Sequence, residues 1–210
     1  MVLPGREPPY YHLMVRVLAV SDEECESAYR GQFSELGPDV IVACGDLPFD
    51  YLEYLVTVIG KPLAYVLGNH DPAAGMRPEG CINLEEKVIS IAGLRIAGLG
   101  GSHRYRPGPN QYTQSQMKGR VRRLLRRSRV PGRGPSIDVL LTHAPPHGVG
   151  DDDDPCHRGF EAFHQLVAQA SPRLLIHGHI HSHGIKHEDR RLGSTQIVNA
   201  VGYRLLEVAS

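Results

Sequence analysis

Twelve histidines stand among the 210 residues, and five of them (His177, His179, His181, His183 and His187) fall within eleven positions. Imidazole is the commonest protein metal ligand, so this clustering points to a metal. Carboxylates and an amide recur beside imidazoles in short runs: Ser21-Asp22-Glu23-Glu24, Gly45-Asp46, Gly68-Asn69-His70-Asp71, His143, and Gly178-His179-Ile180-His181. Oxygen and imidazole donors without thiolate suit Mn²⁺, Fe or Zn²⁺ better than a soft-metal site. The donors exceed what one tetrahedral zinc takes and suffice for two ions sharing a bridging carboxylate. Two such ions activate a water and neutralise phosphate, the usual arrangement for phosphoester displacement.

The elements that must position these groups are strands. Residues 13–20, 40–44, 63–67, 137–142 and 174–176 are apolar runs that read as buried strands, and each leads into one of the donor runs. Between the first three, Cys25, Tyr29, Phe33 and Leu36 follow a helical spacing that ends at Gly37-Pro38. Tyr51, Leu52, Leu55, Val58 and Ile59 mark a second helix stopped by Gly60 and Pro62. Three strands with two intervening helices predict a right-handed βαβαβ unit on a parallel sheet. Farther on, 88–91 and 94–97 read as a hairpin through Ala92-Gly93, and 111–129 as a basic helix with Met117, Val121, Leu124 and Leu125 inward. Phe160, Phe163, Leu166, Val167 and Ala170 mark a last helix, with strands at 196–201 and 205–208. The fold class expected is α/β, with two central mixed β-sheets sandwiched by helices. One Asp after a strand usually caps a helix. Five strand ends delivering donors to one edge instead match the place where open α/β sheets bind ligands.

The ordered runs resemble the calcineurin-like metallophosphoesterases, whose pattern is D-x-H, G-D, G-N-H-[DE], a lone His and G-H-x-H. The likeness spans about three-quarters of the chain. It implies a four-layer αββα fold in which Asp22, Asp46 and His181 bind a first metal. Asp46 would bridge to a second, held also by Asn69, His143 and His179. His70 would sit over the phosphate and assist the leaving group, with Asp71 orienting it. Glu24 stands where the D-x-H pattern has its histidine, and is expected to serve as a first-metal ligand. As a ligand it would lower the net site charge from about +2 to about +1 and favour Mn²⁺, with Fe or Zn²⁺ as the other candidates. The implied activity is hydrolysis of a phosphoester by a hydroxide held between two divalent ions. The chain has little sequence for a cap, so the site should be open, and an open site favours a phosphodiester. Alternatives are a non-catalytic interaction module on the same fold, and a nuclease holding its substrate on the arginine-rich helix.

Composition sets outer bounds. Lys plus Arg and Asp plus Glu are 23 each, which excludes a globally basic nucleic-acid binder. The four cysteines form no C-x-x-C pair, so neither a disulfide scaffold nor a zinc ribbon is expected. No stretch reaches the roughly 20 apolar residues of a membrane span, and no signal peptide is read at the N-terminus, so the expected location is cytoplasmic. Residues 1–12 read as an N-terminal extension and 13–210 as one metallophosphoesterase-type domain. The segment 118–133 carries Lys118 and seven arginines without an acid. It reads as a solvated face offset by the Asp151–Asp154 run, or alternatively as a nucleic-acid surface. Arg104 and Arg106, after Gly100-Gly101, are candidates to clamp phosphate. The expected partner is a phosphoester substrate, a nucleotide or nucleic acid among the candidates.

Overall fold

The computed structural model describes residues 14–72, 75–181 and 188–210. The N-terminal extension expected over 1–12, and His183 and His187, lie outside the described residues. A first sheet contains β1 (Met14–Ser21), β2 (Val40–Ala43), β3 (Leu63–Tyr65) and β4 (Cys81–Asn83), all parallel. A second contains β5 (Val88–Ile91) and β6 (Leu94–Leu99) as the expected hairpin. Two short ladders follow, β7 (Ser102–His103) with β8 (Gln111–Tyr112), and β9 (Arg129–Val130) with β10 (Gly134–Pro135). The second sheet continues with β11 (Val139–Thr142), β12 (Leu174–His177), β13 (Arg190–Leu192) and β14 (Thr195–Asn199) in the order β13-β14-β12-β11-β6-β5. The last strand, β15 (Gly202–Ala209), returns to the first sheet and pairs antiparallel with β1, from Met14↔Ala209 to Ser21↔Gly202.

Period-two alternation decides the layering. Val15, Val17 and Ala19 of β1 face the second sheet, where Ile96, Val139, Leu141 and Ile176 meet them in a common core. The alternate residues Leu18 and Val20 face outward onto Ala28, Phe33, Tyr51, Leu52 and Leu55. These come from α1 (Glu26–Tyr29), α2 (Gln32–Glu35) and α3 (Phe49–Ile59). On the far side, Ala97, Leu99 and Leu140 face α4 (Gln114–Arg127) and α5 (Ala162–Ala170) through Met117, Val121, Leu124, Phe163 and Leu166. Both faces of each sheet are covered, which is why the central strands read as nearly continuous apolar runs. The architecture is the expected helix–sheet–sheet–helix sandwich.

Three details differ from expectation. The single helix expected through Cys25–Leu36 is two turns, because Gly31 between them takes a left-handed backbone at φ 77°. The basic helix begins at Gln114, where Thr113 and Gln116 form a reciprocal capping box that leaves Gln111–Tyr112 extended. Its charge is not offset by the Asp151–Asp154 run. Arg120, Arg123 and Arg127 pair instead with Glu86, and Arg120 also with Glu85. Asp151 receives the backbone N–H of Gly148 and Gly159 within its own loop. Among the described residues, no helix is long and apolar enough to cross a membrane.

Candidate metal centre

The donor runs meet where parallel strands of both sheets end, and their glycines are what let them meet. A Cβ on Gly68 would lie 2.0 Å from Asp46 Oδ1, and one on Gly178 would lie 2.0 Å from Ser21 Oγ and 2.2 Å from Asp22 Oδ2. No side chain fits in either place. Asp22, Asp46 and His179 hold left-handed backbones, at φ 62°, 55° and 69°. Such conformations cost roughly 1–3 kcal/mol for residues with a Cβ, and cluster at functional sites.

His143, at the end of β11, is fully buried. Its Nδ1 donates to the Cys44 carbonyl oxygen (2.7 Å), so that nitrogen carries a hydrogen and Nε2 faces inward. Nε2 meets two oxygens, Asn69 Oδ1 at 3.0 Å and Asp46 Oδ2 at 3.3 Å. Two acceptors aimed at one imidazole nitrogen require a positive charge between them. A proton meets that requirement here: burial opposes the charged ring, but Asp46 outweighs it and His143 is pushed up to about 9. Asp46 is in turn held below its ordinary value, since the His143 charge and the His70 N–H overcome the effect of burial.

His179 completes the group. Its Nε2 donates to the Cys156 carbonyl oxygen (2.7 Å), which leaves Nδ1 as the free donor atom. Burial first, and the charge on His143 second, lower His179 to about 3, so its ring is neutral. One ligand atom each from Asp46, His143 and His179 lies within 4.8 Å of the others. Beside them Asp22 Oδ2 accepts the His179 N–H (2.9 Å), and Asp22 Oδ1 lies 3.7 Å from His181 Nε2. Protein donors sit about 2.0–2.2 Å from a transition-metal ion, so donor pairs 3.3–3.7 Å apart are spaced to share one. Asp46, Asn69, His143 and His179 together fit a divalent metal. Asp22 and His181 stand beside them as a further pair of donors.

Two sequence-predicted residues sit otherwise than expected. Glu24 is exposed and accepts the Tyr29 hydroxyl. The turn at Asp22 places Glu23 toward the site instead, with Oε1 3.4 Å from His181 Nδ1. Asp71 does not hold the His70 ring. Its Oδ2 accepts the backbone N–H of Gly68 (2.7 Å) and Asp46 (3.0 Å), tying two donor loops together. Burial first, and the neighbouring Asp46 charge, push Asp71 up to about 6 against those bonds. His70 is exposed, and its own N–H is fixed to Asp46 Oδ1 (2.8 Å).

Two other residues at the site, Asn110 and Tyr105, carry no sequence signal of their own. Asn110 Nδ2 donates to the carbonyls of Gly68 and Asp71, clamping the G-N-H-D loop from outside. Tyr105 Oη lies 3.5 Å from Asn69 Nδ2. The candidate clamp Arg104 donates to the Gln111 carbonyl, and Arg106 lies over the Tyr105 ring. Asp154, Cys156 and His157 gather beside the centre, with the His157 ring 5.1 Å from that of His179.

A face-to-face pair of mixed sheets with carboxylate and imidazole donors at the strand ends defines the metallophosphoesterase class of α/β sandwich. The chain belongs to the calcineurin-like phosphoesterase family, whose pattern residues 16–183 match. One solved structure is 17% identical over 93% of this chain and 95% of its own, at a TM-score of 0.67. The structure of TT1561 of Thermus thermophilus is 18% identical over 94% of this chain and 99% of its own, at a TM-score of 0.61. Both share the fold. No curated protein sequence matches the chain. It is a phosphoesterase-type, metal-binding domain.

Proposed function

We propose that the chain is a metal-dependent phosphodiesterase acting at an open site. The observation that carries this reading is the convergence of Asp46, Asn69 and His179 on the inward face of buried His143, with Asp22 and His181 alongside. When bound, two divalent ions lower the pKa of water and offset phosphate charge. The donors are oxygen and nitrogen only, which supports Mn²⁺ as the ion to test first.

The chain's own residues supply the rest. His70 presents an exposed ring at the rim, its backbone tied to Asp46, where it can hydrogen-bond the phosphate and protonate the departing oxygen. Beside it lies a cavity of about 510 Å³ lined by Leu47, Pro48, Phe49, Asp50 and Pro72, which suits an apolar or aromatic ester group. That exposure supports a diester over an enclosed monoester. The test is hydrolysis of bis-p-nitrophenyl phosphate against p-nitrophenyl phosphate by Mn²⁺-loaded protein. Preference for the diester, with kcat reduced roughly 10²–10⁴-fold in His70→Ala, is expected. A preference for the monoester, or an unaffected His70→Ala, would overturn the reading.

A second reading, in which the diester is nucleic acid, draws on one further observation. Arg122, Arg126 and Arg129 border a groove of about 420 Å³ with Gln165 and Gln169 of α5, and have no acidic partner among the described residues. The Ser128 carbonyl beside them accepts from Arg95 at the start of β6, so the groove lies at the other end of that strand from the donor loops. Six residues of strand span roughly 20 Å. Only a polymer would reach both. Steep loss of nuclease activity with salt, softened in Arg122→Ser/Arg126→Ser, would favour this reading, and salt-independent turnover would count against it.

A further inference from the structure

We propose that Glu23 is a positioning residue for His181, and that the first metal position of this chain has only Asp22, Asp46 and His181 as protein ligands. The proposal deepens the metal-centre reading and rests on it. The geometry begins at the end of β1. Asp22 takes its left-handed backbone, and the Glu23 N–H closes onto the Ser21 carbonyl (2.7 Å). That tight reversal sends the next two side chains opposite ways. Glu24 goes to the Tyr29 hydroxyl on the helical side, and Glu23 goes to the G-H-x-H loop.

His181 is then flanked by two carboxylates on its two nitrogens. Glu23 Oε1 lies 3.4 Å from Nδ1, and Asp22 Oδ1 lies 3.7 Å from Nε2. A carboxylate on the far nitrogen of a metal-binding imidazole keeps the hydrogen on that nitrogen, fixes the ring and raises its basicity. His181 needs such a hold, because its side chain is 44% exposed whereas His143 is sealed in the core. Among the described residues its polar contacts are these two carboxylates. The residue that departs from the D-x-H pattern turns to Tyr29, and its neighbour supports the histidine that remains. The two positions are unequal: the one faced by Asn69, His143 and His179 is buried and pre-built, while the one faced by His181 is exposed and depends on Glu23. The second ion to load should be the one that Glu23 controls.

The test is Mn²⁺ titration of metal-stripped full-length protein by calorimetry, with electron paramagnetic resonance to count coupled ions. Wild type, Glu23→Gln, Glu23→Asp and Glu24→Gln are compared. The expected result is two ions in the wild type, bound in separate phases. The weaker phase falls about 10–100-fold in Glu23→Gln, recovers partly in Glu23→Asp, and is unchanged in Glu24→Gln. Circular dichroism should show all four folded alike, since both glutamates are exposed. Equal binding by Glu23→Gln and wild type would overturn the proposal, as would weakening in Glu24→Gln. Mn²⁺ that binds to none of the four proteins would overturn the metal-centre reading itself.

Discussion

Replacing Gly178 by alanine adds one methyl group at the point where the two sheets' donor loops touch. Its Cβ would stand 2.0 Å from Ser21 Oγ and 2.2 Å from Asp22 Oδ2, about 1.4 Å and 1.2 Å short of the 3.4 Å lower edge of ordinary contact. Ser21 is fully buried and its hydroxyl is bonded to the Gly45 carbonyl, so it has little room to yield. Asp22 must move instead, losing the bond it receives from the His179 N–H. Forcing such overlap costs about 1–3 kcal/mol. For a chain of this size, each kcal/mol lowers Tm by about 2–4 °C. Stability alone would not distinguish this from any poor substitution, so Gly60→Ala serves as the control. Gly60 has a left-handed backbone with nothing within 4 Å of its Cβ, and alanine there costs about 1–2 kcal/mol by strain alone. Both variants should melt a few degrees early. Only Gly178→Ala should also bind Mn²⁺ more weakly by calorimetry, about 10–100-fold at the position Asp22 faces. If Gly178→Ala melts and binds Mn²⁺ like the wild type, the packing argument for the motif glycines is wrong.

Further outcomes follow from the same structure. Arg120 is almost fully buried between Glu85, Glu86 and the Gly100 carbonyl, so Arg120→Met leaves Glu85 without its cation, although Glu86 keeps Arg123, and should cost about 3–5 kcal/mol in urea unfolding. Arg127→Met at the exposed end of the cluster should cost under about 1 kcal/mol. Glu86 is lowered to about 2, first by its hydrogen bond with Arg123, with burial opposing and Arg120 assisting. A depressed carboxyl stabilises the fold above its unfolded value of about 4.3 and loses that contribution as pH falls toward about 2. Glu86→Gln should therefore flatten the stability profile in that window, and an unchanged acid limb would refute the linkage. Removing metal should leave the fold intact, because the core between the sheets is apolar and complete without an ion. Added Mn²⁺ at about 100 times its Kd should raise stability by about 2.7 kcal/mol, and a chelated sample without cooperative melting would contradict this.

What the sequence made legible were features that act locally. Each central strand is an apolar run because both its faces are covered, and each donor run sits immediately after such a strand. The alternation that assigns Val17 to one layer and Leu18 to the other is written in neighbouring residues. Glu23 and Glu24 could not be told apart that way, since the turn at Asp22 decides which one faces His181 and a shift of one residue reverses the answer. Asn110 clamps the loop around His70 from about 40 positions away, with no periodicity to mark it. The arginines of α4 show the same limit: their partners Glu85 and Glu86 are 34–41 residues earlier in the chain, while Asp151–Asp154, though more conspicuous, is engaged with its own loop.

The most direct test of the account is to count Mn²⁺ ions and measure bis-p-nitrophenyl phosphate hydrolysis together, in wild type and Asp46→Asn. With Asp46 proposed as the carboxylate shared by two ions, the account predicts two ions and turnover in the wild type. In Asp46→Asn it predicts loss of at least one ion and of nearly all turnover. A wild type that binds no ion, or an Asp46→Asn protein that turns over at the wild-type rate, would contradict it.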